Sequence, residues 1–531
     1  MQFDSHRSMV LSSRGMVATA QPLAAMAGVR MLMEGGNAVD AAVATAAALN
    51  VVEPMSTGVG GDMFALVWMA GEKQVHALNG SGRAPAAASI EELTSKGLTE
   101  IPYSGPHTVS VPGTVDGWNT LINTHGTMPL AHVLGPAIEY AQEGYPVTDI
   151  VAYLWKMCEP LLTSHPSGSQ LLLNGRSPKE GEVIRLPELA KTLRAIASGG
   201  PDAFYKGELA GKVSSFVQEQ GGWLSTQDLA DHTSTWDEPI STDYRGVTCW
   251  ECPPNGQGLA ALQALNIAEG FDIKGMGSQS PDTYHHLIES MQLAFADALR
   301  YIADPRRVHV PIDQLLSKGY AAKRGQLVSA DRAMTEVLPG DLPPGGDTVY
   351  MSCVDGQGNA CSLINSLYAG FGSGLVVPGT GIALQNRGAL FSLDPEHPNA
   401  LEPGKRPYQT IIPGMATRDG EMWLTYGVMG GFQQPQGHLQ VLVNMIDFGM
   451  DPQQALNALR FSVQPGDGVA LEEGIPQSTL DDLKKRGHKT RLLGGYDRIY
   501  FGGGQIIERE LNTGVLRGGS EPRKDGCAVG L

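Results

Sequence analysis

The spacing of apolar residues changes character once along this chain, near residue 330. Before that point the helical period prevails. Residues 37–51 (NAVDAAVATAAALNV) are alanine-rich and apolar on nearly every face, which predicts a helix buried on all sides. Apolar runs at 63–70 and 74–78 around Gly71-Glu72 predict two strands joined by a turn. Helical spacing recurs at 115–124, 130–142, 186–197, 284–303 and 312–327, with Pro and Gly in the gaps. Segment 335–346 (TEVLPGDLPPGG) has no apolar period and predicts an exposed loop. Directly after it, 349–354 and 360–365 flank Asp355-Gly356-Gln357-Gly358, a hairpin signal. Further strands are expected at 381–385, 423–428 and 498–501, and helices at 438–448 and 452–459. A loop that opens straight into an apolar strand is the local feature with chemical consequences.

Length bounds the fold only loosely: 531 residues suit several domains or one large layered unit. The 67 glycines are scattered through apolar segments, so backbone must approach backbone, or a ligand, at many places. With 38 basic against 55 acidic side chains the net charge is −17, and no basic stripe interrupts it. Nucleic acid is therefore excluded as a partner, whereas a small anion needs only one or two local cations. No apolar run reaches the length of a membrane span. The first residues carry Arg7 and Arg14 without a signal-like apolar stretch, and the expected location is cytoplasmic. Six cysteines suit a reducing compartment, and the Cys249/Cys252 pair reads as two small strand residues.

Common catalytic motifs are missing. There is no H-E-x-x-H, and His285-His286 are adjacent on a helical pattern, so they cannot face one metal together. Residues 207–212 lack P-loop spacing, and no G-x-S-x-G occurs. Gly58-Val59-Gly60-Gly61 follows a helix and reads as a tight turn, with a ligand-lining role left open. No metal or organic cofactor is implied. Thr348 remains. A threonine at a strand start is ordinarily a β-former, but Gly345-Gly346-Asp347 precedes it, where backbone can bend for attack on its own preceding carbonyl. Cutting Asp347–Thr348 would give Thr348 a free α-amine with a pKa of about 8. That amine is a general base on the same residue as the hydroxyl.

Ordered motifs extend this over nearly the whole chain: Gly36-Asn37-Ala38-Val39-Asp40-Ala41-Ala42, Val52-Glu53-Pro54, the Gly58 to Gly61 run and Val111-Pro112-Gly113-Thr114-Val115. They continue with Phe204-Tyr205-Lys206-Gly207, Asp243-Tyr244-Arg245-Gly246, Asp304-Pro305, Phe371-Gly372-Ser373-Gly374 and Gly404-Lys405-Arg406-Pro407. On these motifs the chain resembles the γ-glutamyltranspeptidase family. The resemblance implies an α+β fold, a four-layer αββα sandwich of the N-terminal-nucleophile type, made as one precursor. Cleavage at Asp347/Thr348 would leave associated chains 1–347 and 348–531, together one αββα domain, with any homo-oligomer of that pair left open. By the same resemblance the nucleophile maps to Thr348 and its hydroxyl partner to Ser366. The oxyanion-hole amides map to Gly430 and Gly431, which alone would read as a strand-end turn.

Departures from the family pattern bear on the substrate. The acid that binds a γ-glutamyl α-ammonium falls on Leu390, its companion asparagine on Tyr368 and a nearby glutamine on Arg387. The carboxylate-clamping arginine falls on Ser81, two residues before Arg83, and the serine pair on Gln409 and Thr410. A buried ammonium without an anion costs several kcal/mol, so free γ-glutamyl amides are expected to be poor substrates. Arg83 and Arg387 either hold a substrate carboxylate or form structural ion pairs. Ser81-Gly82-Arg83-Ala84-Pro85 and Gln385-Asn386-Arg387-Gly388 resemble the branch of oxamate amidohydrolases and cephalosporin-acylase-like proteins. The expected substrate is thus a small anionic amide, oxamate first. The alternatives are a γ-glutamyl hydrolase or transferase, a glutaryl- or cephalosporin-type acylase, and an uncut binding protein on the same scaffold.

Overall fold

The computed structural model of the protein describes residues 7–334, 347–464 and 468–531. The expected loop at 335–346 lies outside the described residues. In chain order the sheet strands are β1 Val10–Ser12, β2 Gly15–Thr19, β3 Asp62–Met69, β4 Gln74–Gly80, β5 Thr235–Asp237, β6 Ile240–Tyr244 and β7 Val247–Glu251. They continue with β8 Asp347–Asp355, β9 Ala360–Tyr368, β10 Gly414–Arg418, β11 Glu421–Met429, β12 Gly503–Arg509, β13 Leu516–Ser520 and β14 Cys527–Gly530. Every position of β9 is buried, which a strand tolerates only where both faces are covered. One seven-stranded sheet runs β14-β2-β8-β9-β3-β4-β5 and the other β1-β13-β12-β11-β10-β7-β6.

Side-chain alternation sorts the core into three apolar layers. Along β8, Val349, Met351 and Cys353 point to the helices outside the first sheet, while Tyr350 and Val354 point to the second sheet. That middle layer also holds Phe64, Ile364, Met415 and Met429. Helices Pro22–Met33, Ala38–Val52, Thr114–His125 and Gly135–Glu143 cover the first sheet. Gly258–Ala268, Pro281–Tyr301 and Gln433–Ile446 cover the second. Helix, sheet, sheet and helix stack in that order, so the α+β sandwich expectation holds. No helix among the described residues is long and apolar enough to cross a membrane.

The helix Ala38–Val52 is buried at all fifteen positions, as its composition requires. Asn37 and Asp40 close a capping box at its start. Asp40 also accepts from the Thr127 amide, the Thr127 hydroxyl at 2.6 Å and the Met128 amide, tying this central helix to the turn after Thr114–His125.

Several expected elements differ, each for a local reason. Region 130–142 is two helices, Leu130–Val133 and Gly135–Glu143, because Pro136 has no amide to continue the first. Region 312–327 breaks between Ile312–Leu315 and Lys318–Gly325, where Ser317 caps the second piece by accepting from the Tyr320 amide. The helix expected at 186–197 runs Pro187–Tyr205 with a break at Gly200, whose φ is +63°, before Pro201. Region 498–501 is not a strand but the end of a 3₁₀ helix, Gly495–Phe501, entered through Gly495 at φ +59°. The strand at 381–385 shrinks to Ile382–Ala383.

Asp40→Asn keeps the side-chain volume but removes the charge from four donors. It is expected to cost about 2 kcal/mol, read as a lower urea unfolding midpoint. An unchanged midpoint would contradict the capping role.

Candidate active site

Thr348 sits at an irregularity in the β8–β9 ladder. Asp347 pairs with Tyr368 and Val349 with Asn365, so Ser366 and Leu367 both stand opposite Thr348. Such a bulge re-aims a side chain out of the ordinary alternation. The Thr348 and Ser366 hydroxyls are 3.1 Å apart, and both residues are fully buried. The Ser366 hydroxyl also accepts from the Tyr368 amide at 2.8 Å and from Arg387 Nη2 at 3.2 Å.

Arg387 opens the short 3₁₀ helix Arg387–Leu390 and is fully buried. The preceding residues dock it: the Gln385 amide donates to the Gly60 carbonyl, the Asn386 amide to Leu367, and the Asn386 side chain accepts from the Ala369 amide. Gly388 passes so close to Thr108 that a Cβ would lie 2.7 Å from its carbonyl oxygen. Arg387 Nη1 donates to the Thr410 hydroxyl at 2.6 Å, and the guanidinium carbon lies 4.6 Å from the centre of the Tyr368 ring. Its Nε–H is buried with no hydrogen-bond partner among the described residues. Tyr368 holds φ at +80°, a strained position for an aromatic residue.

The compensating charge is Asp62, at the start of β3 and in register with Ser366. Its carboxylate accepts from Gln385 at 2.9 Å, Gln409 at 2.9 Å and the Gly82 amide at 3.0 Å. Burial pushes Asp62 up to about 6, opposed first by the charge of Arg387. Burial lowers Arg387 to about 10, opposed first by Asp62, so the guanidinium stays charged at neutral pH.

Gly430 and Gly431 follow β11 with φ of +122° and +60°, backbone that side chains disfavour. The Gly430 carbonyl accepts from the Gln433 amide and the Gly431 carbonyl from the Gln434 amide, where helix Gln433–Ile446 begins. The positive end of that helix therefore lies at the glycine pair. Gln257 donates both to the Gly431 carbonyl and to the Thr410 carbonyl, linking the pair to the Arg387 cluster.

The structure thus joins Thr348, Ser366, Tyr368, Arg387, Gln409 and Thr410 in one hydrogen-bonded cluster. Arg83 is not part of it. Its guanidinium donates to the Thr233 carbonyl and lines a separate hollow with Asp228, Asp231 and His232. Ser81 bonds Asn79 and Asn255, and Leu390 is half-buried against the helical core of the second sheet. Asp62 and Gln257 escaped the sequence reading. The only signal for Asp62 was a carboxylate between Gly60-Gly61 and an apolar strand.

A family model described as Gamma-glutamyltranspeptidase matches residues 24–531. The chain belongs to the gamma-glutamyltranspeptidase family. Like the family, it is an amidohydrolase of the N-terminal-threonine type. Among relatives, the glutathione hydrolase-like YwrD proenzyme of Bacillus subtilis (strain 168) is 38% identical over 98% of this chain and 99% of its own. The oxamate amidohydrolase proenzyme of Klebsiella pneumoniae is 35% identical over 98% and 99%. A cephalosporin acylase structure from Bacillus halodurans superposes with a TM-score of 0.93 at 48% identity, covering 100% of this chain and 98% of the other.

Because Asp62 is raised in the folded state, it favours folding below its unfolded value of about 4, and that contribution is lost as pH rises through about 6. Asp62→Asn should therefore gain stability relative to the parent between pH 4 and 6, on the order of 3 kcal/mol. Parallel unfolding midpoints across that window would refute the buried carboxyl assignment.

Proposed function

We propose that Thr348, freed by cleavage of Asp347–Thr348, is the nucleophile of an amidohydrolase whose substrate carries a carboxylate on its acyl part and no α-ammonium. The observation that carries this reading is the Thr348–Ser366–Arg387 contact chain, in which a buried cation donates directly to the nucleophile's hydroxyl partner. In maturation, the Thr348 hydroxyl attacks the Asp347 carbonyl, the peptide C–N bond breaks, and water hydrolyses the resulting ester. Chains of 347 and 184 residues result.

In turnover the new α-amine takes the hydroxyl proton while the oxygen adds to the substrate carbonyl. Backbone N–H groups of Gly430 and Gly431, at the positive end of a helix, receive the oxyanion. The C–N bond breaks, the amine passes its proton to the leaving nitrogen, and water then releases the acid. Ser366 orients the hydroxyl. Arg387 holds the acyl carboxylate with charge-assisted hydrogen bonds, with Thr410 and Tyr368 fixing its plane. Leu390 offers an α-ammonium no anion, which supports a non-amino acyl group. Oxamate, giving oxalate and ammonia in the cytoplasm, fits the small closed cluster best.

A second reading is a glutaryl- or cephalosporin-type acylase. It is favoured by a cavity of about 460 Å³ beside Gly430, lined by Tyr153, Leu154, Met429, Phe432 and Ile499, with room for a bulky leaving amine. Ammonia release from oxamate, glutarate monoamide and glutamine, beside cleavage of a glutaryl-anilide and a γ-glutamyl-anilide, separates these readings. Turnover of the γ-glutamyl compounds alone would overturn the acyl assignment.

Thr348→Ala should run as one uncut band on a denaturing gel, without activity; two bands with activity retained would end the proposal. Arg387→Gln should mature normally but lose about 100-fold in kcat/KM, on the order of 3 kcal/mol. Parent-like kinetics would assign Arg387 a purely structural role.

A further inference from the structure

A second cluster of ligating side chains lies outside the active site, between the helices of the second sheet and the segment that leads toward Asp347. His285 and Glu289 stand one turn apart on helix Pro281–Tyr301, so they share a face. His488 reaches them from the chain just after helix Gln477–Lys485, with its amide bonded to the Leu483 carbonyl. All three are buried, and one ligand atom from each lies within 4.8 Å of the others.

The protonation pattern is set by a neighbour. His285 Nε2 lies 2.7 Å from the Ser329 carbonyl oxygen, which can only accept, so Nε2 carries the ring proton and Nδ1 presents a lone pair. That lone pair faces His488 Nε2 at 2.8 Å. A ring nitrogen fixed by a backbone carbonyl on its far side is the outer-shell arrangement of metal-bound histidines. Glu289 supplies the third group: one oxygen accepts from the Met334 amide at 2.9 Å, and the other is buried with no hydrogen-bond partner. The nearby Arg486 is already engaged by Asp282 and Asp482. His286 is turned away, its Nδ1 on the Asp282 carbonyl, so the pair that shares the site is not the adjacent pair in sequence.

We propose that His285, His488 and Glu289 form a binding site for a divalent transition-metal ion, zinc by ligand type, that is separate from the amidohydrolase chemistry. Two neutral imidazoles and one carboxylate are borderline nitrogen and oxygen donors, which select zinc over calcium or magnesium. A water completes four-coordination. The N···N approach opens by a few tenths of an ångström when His488 shifts its proton to Nδ1 and both nitrogens turn to the ion. Occupied, the site pins Ser329 and Met334 to helix Pro281–Tyr301, and so anchors the stretch that ends at the linker before Thr348.

The test uses tag-free, mature protein stripped with a chelator and re-equilibrated with zinc chloride in a metal buffer. The expected result is about one zinc per pair of associated chains by elemental mass spectrometry and a thermal midpoint that rises with free zinc. Cobalt in place of zinc should give visible absorption of a low-coordinate site. His488→Gln, which keeps a hydrogen-bonding group against His285, should weaken zinc binding by at least about 100-fold and abolish the cobalt spectrum. Substoichiometric zinc on the parent protein overturns the proposal without any variant. So does zinc held equally well by His488→Gln and Glu289→Gln.

Discussion

A fully buried cation docked against the strand that carries Ser366 is the constraint around which the rest of this site is arranged. Arg387 is wholly buried, and an isolated charge there would cost several kcal/mol. Its nearest compensation is Asp62, which is itself buried and must be satisfied by donors that bring no charge. Two of those donors are backbone amides of Gly82 and Gly113. A Cβ on Gly82 would lie 1.5 Å from the Val111 carbonyl oxygen, and one on Gly113 1.9 Å from that of Gly80. Only glycine lets these amides reach the carboxylate while their neighbours pack. The abundance of glycine in apolar segments thus has a specific electrostatic use here.

The same close approach explains the Gly58 to Gly61 run. A Cβ at Gly60 would meet the Ala383 carbonyl oxygen at 2.1 Å, and one at Gly61 the Ser366 carbonyl oxygen at 2.3 Å. The run is a turn, and it is also the surface on which the segment carrying Arg387 and the strand carrying Ser366 both rest. Backbone contact replaces side-chain packing where three pieces of chain, distant in sequence, converge around Ser366. Their order in space is fixed by the β3–β9–β8 pairing.

Legibility in the sequence followed periodicity. The helix Ala38–Val52 and the hairpin of β8 and β9 were readable because a continuous apolar face or a turn signal marks each. Helix Gln433–Ile446 was readable only from residue 438, since its first turns are rich in glutamine. Those glutamines are buried because Gln434 accepts from the Ile412 amide and Gln436 from the Val463 amide, contacts that no local pattern announces. The strand expected at 498–501 differs for a similar reason: Ile499, Tyr500 and Phe501 favour a strand, but Gly495 and Gly502 on either side let the chain coil into the 3₁₀ helix Gly495–Phe501. At the site, the Thr348–Ser366 contact joins two residues that family motifs single out, whereas Asp62 carries no such signal, because its meaning comes from a cation 325 positions later in the chain. Arg83 shows the converse error. Two residues from a family position in sequence, it points into another hollow.

Relatives that carry glutathione hydrolase-like, oxamate amidohydrolase and cephalosporin acylase names align over nearly the whole chain. One scaffold serving such different descriptions follows from where the groups reside. Thr348 and Ser366 stand on central strands whose register both sheets enforce, and Gly430-Gly431 is held between a strand end and a helix start. Moving any of them means moving the core. Arg387, Leu390, Gln409 and Thr410 sit instead on irregular segments docked against that core. A change there alters which charge the acyl pocket presents while leaving strand pairing intact. On the proposed reading, Arg387 and Leu390 bear on the substrate, while Thr348 bears on the type of reaction.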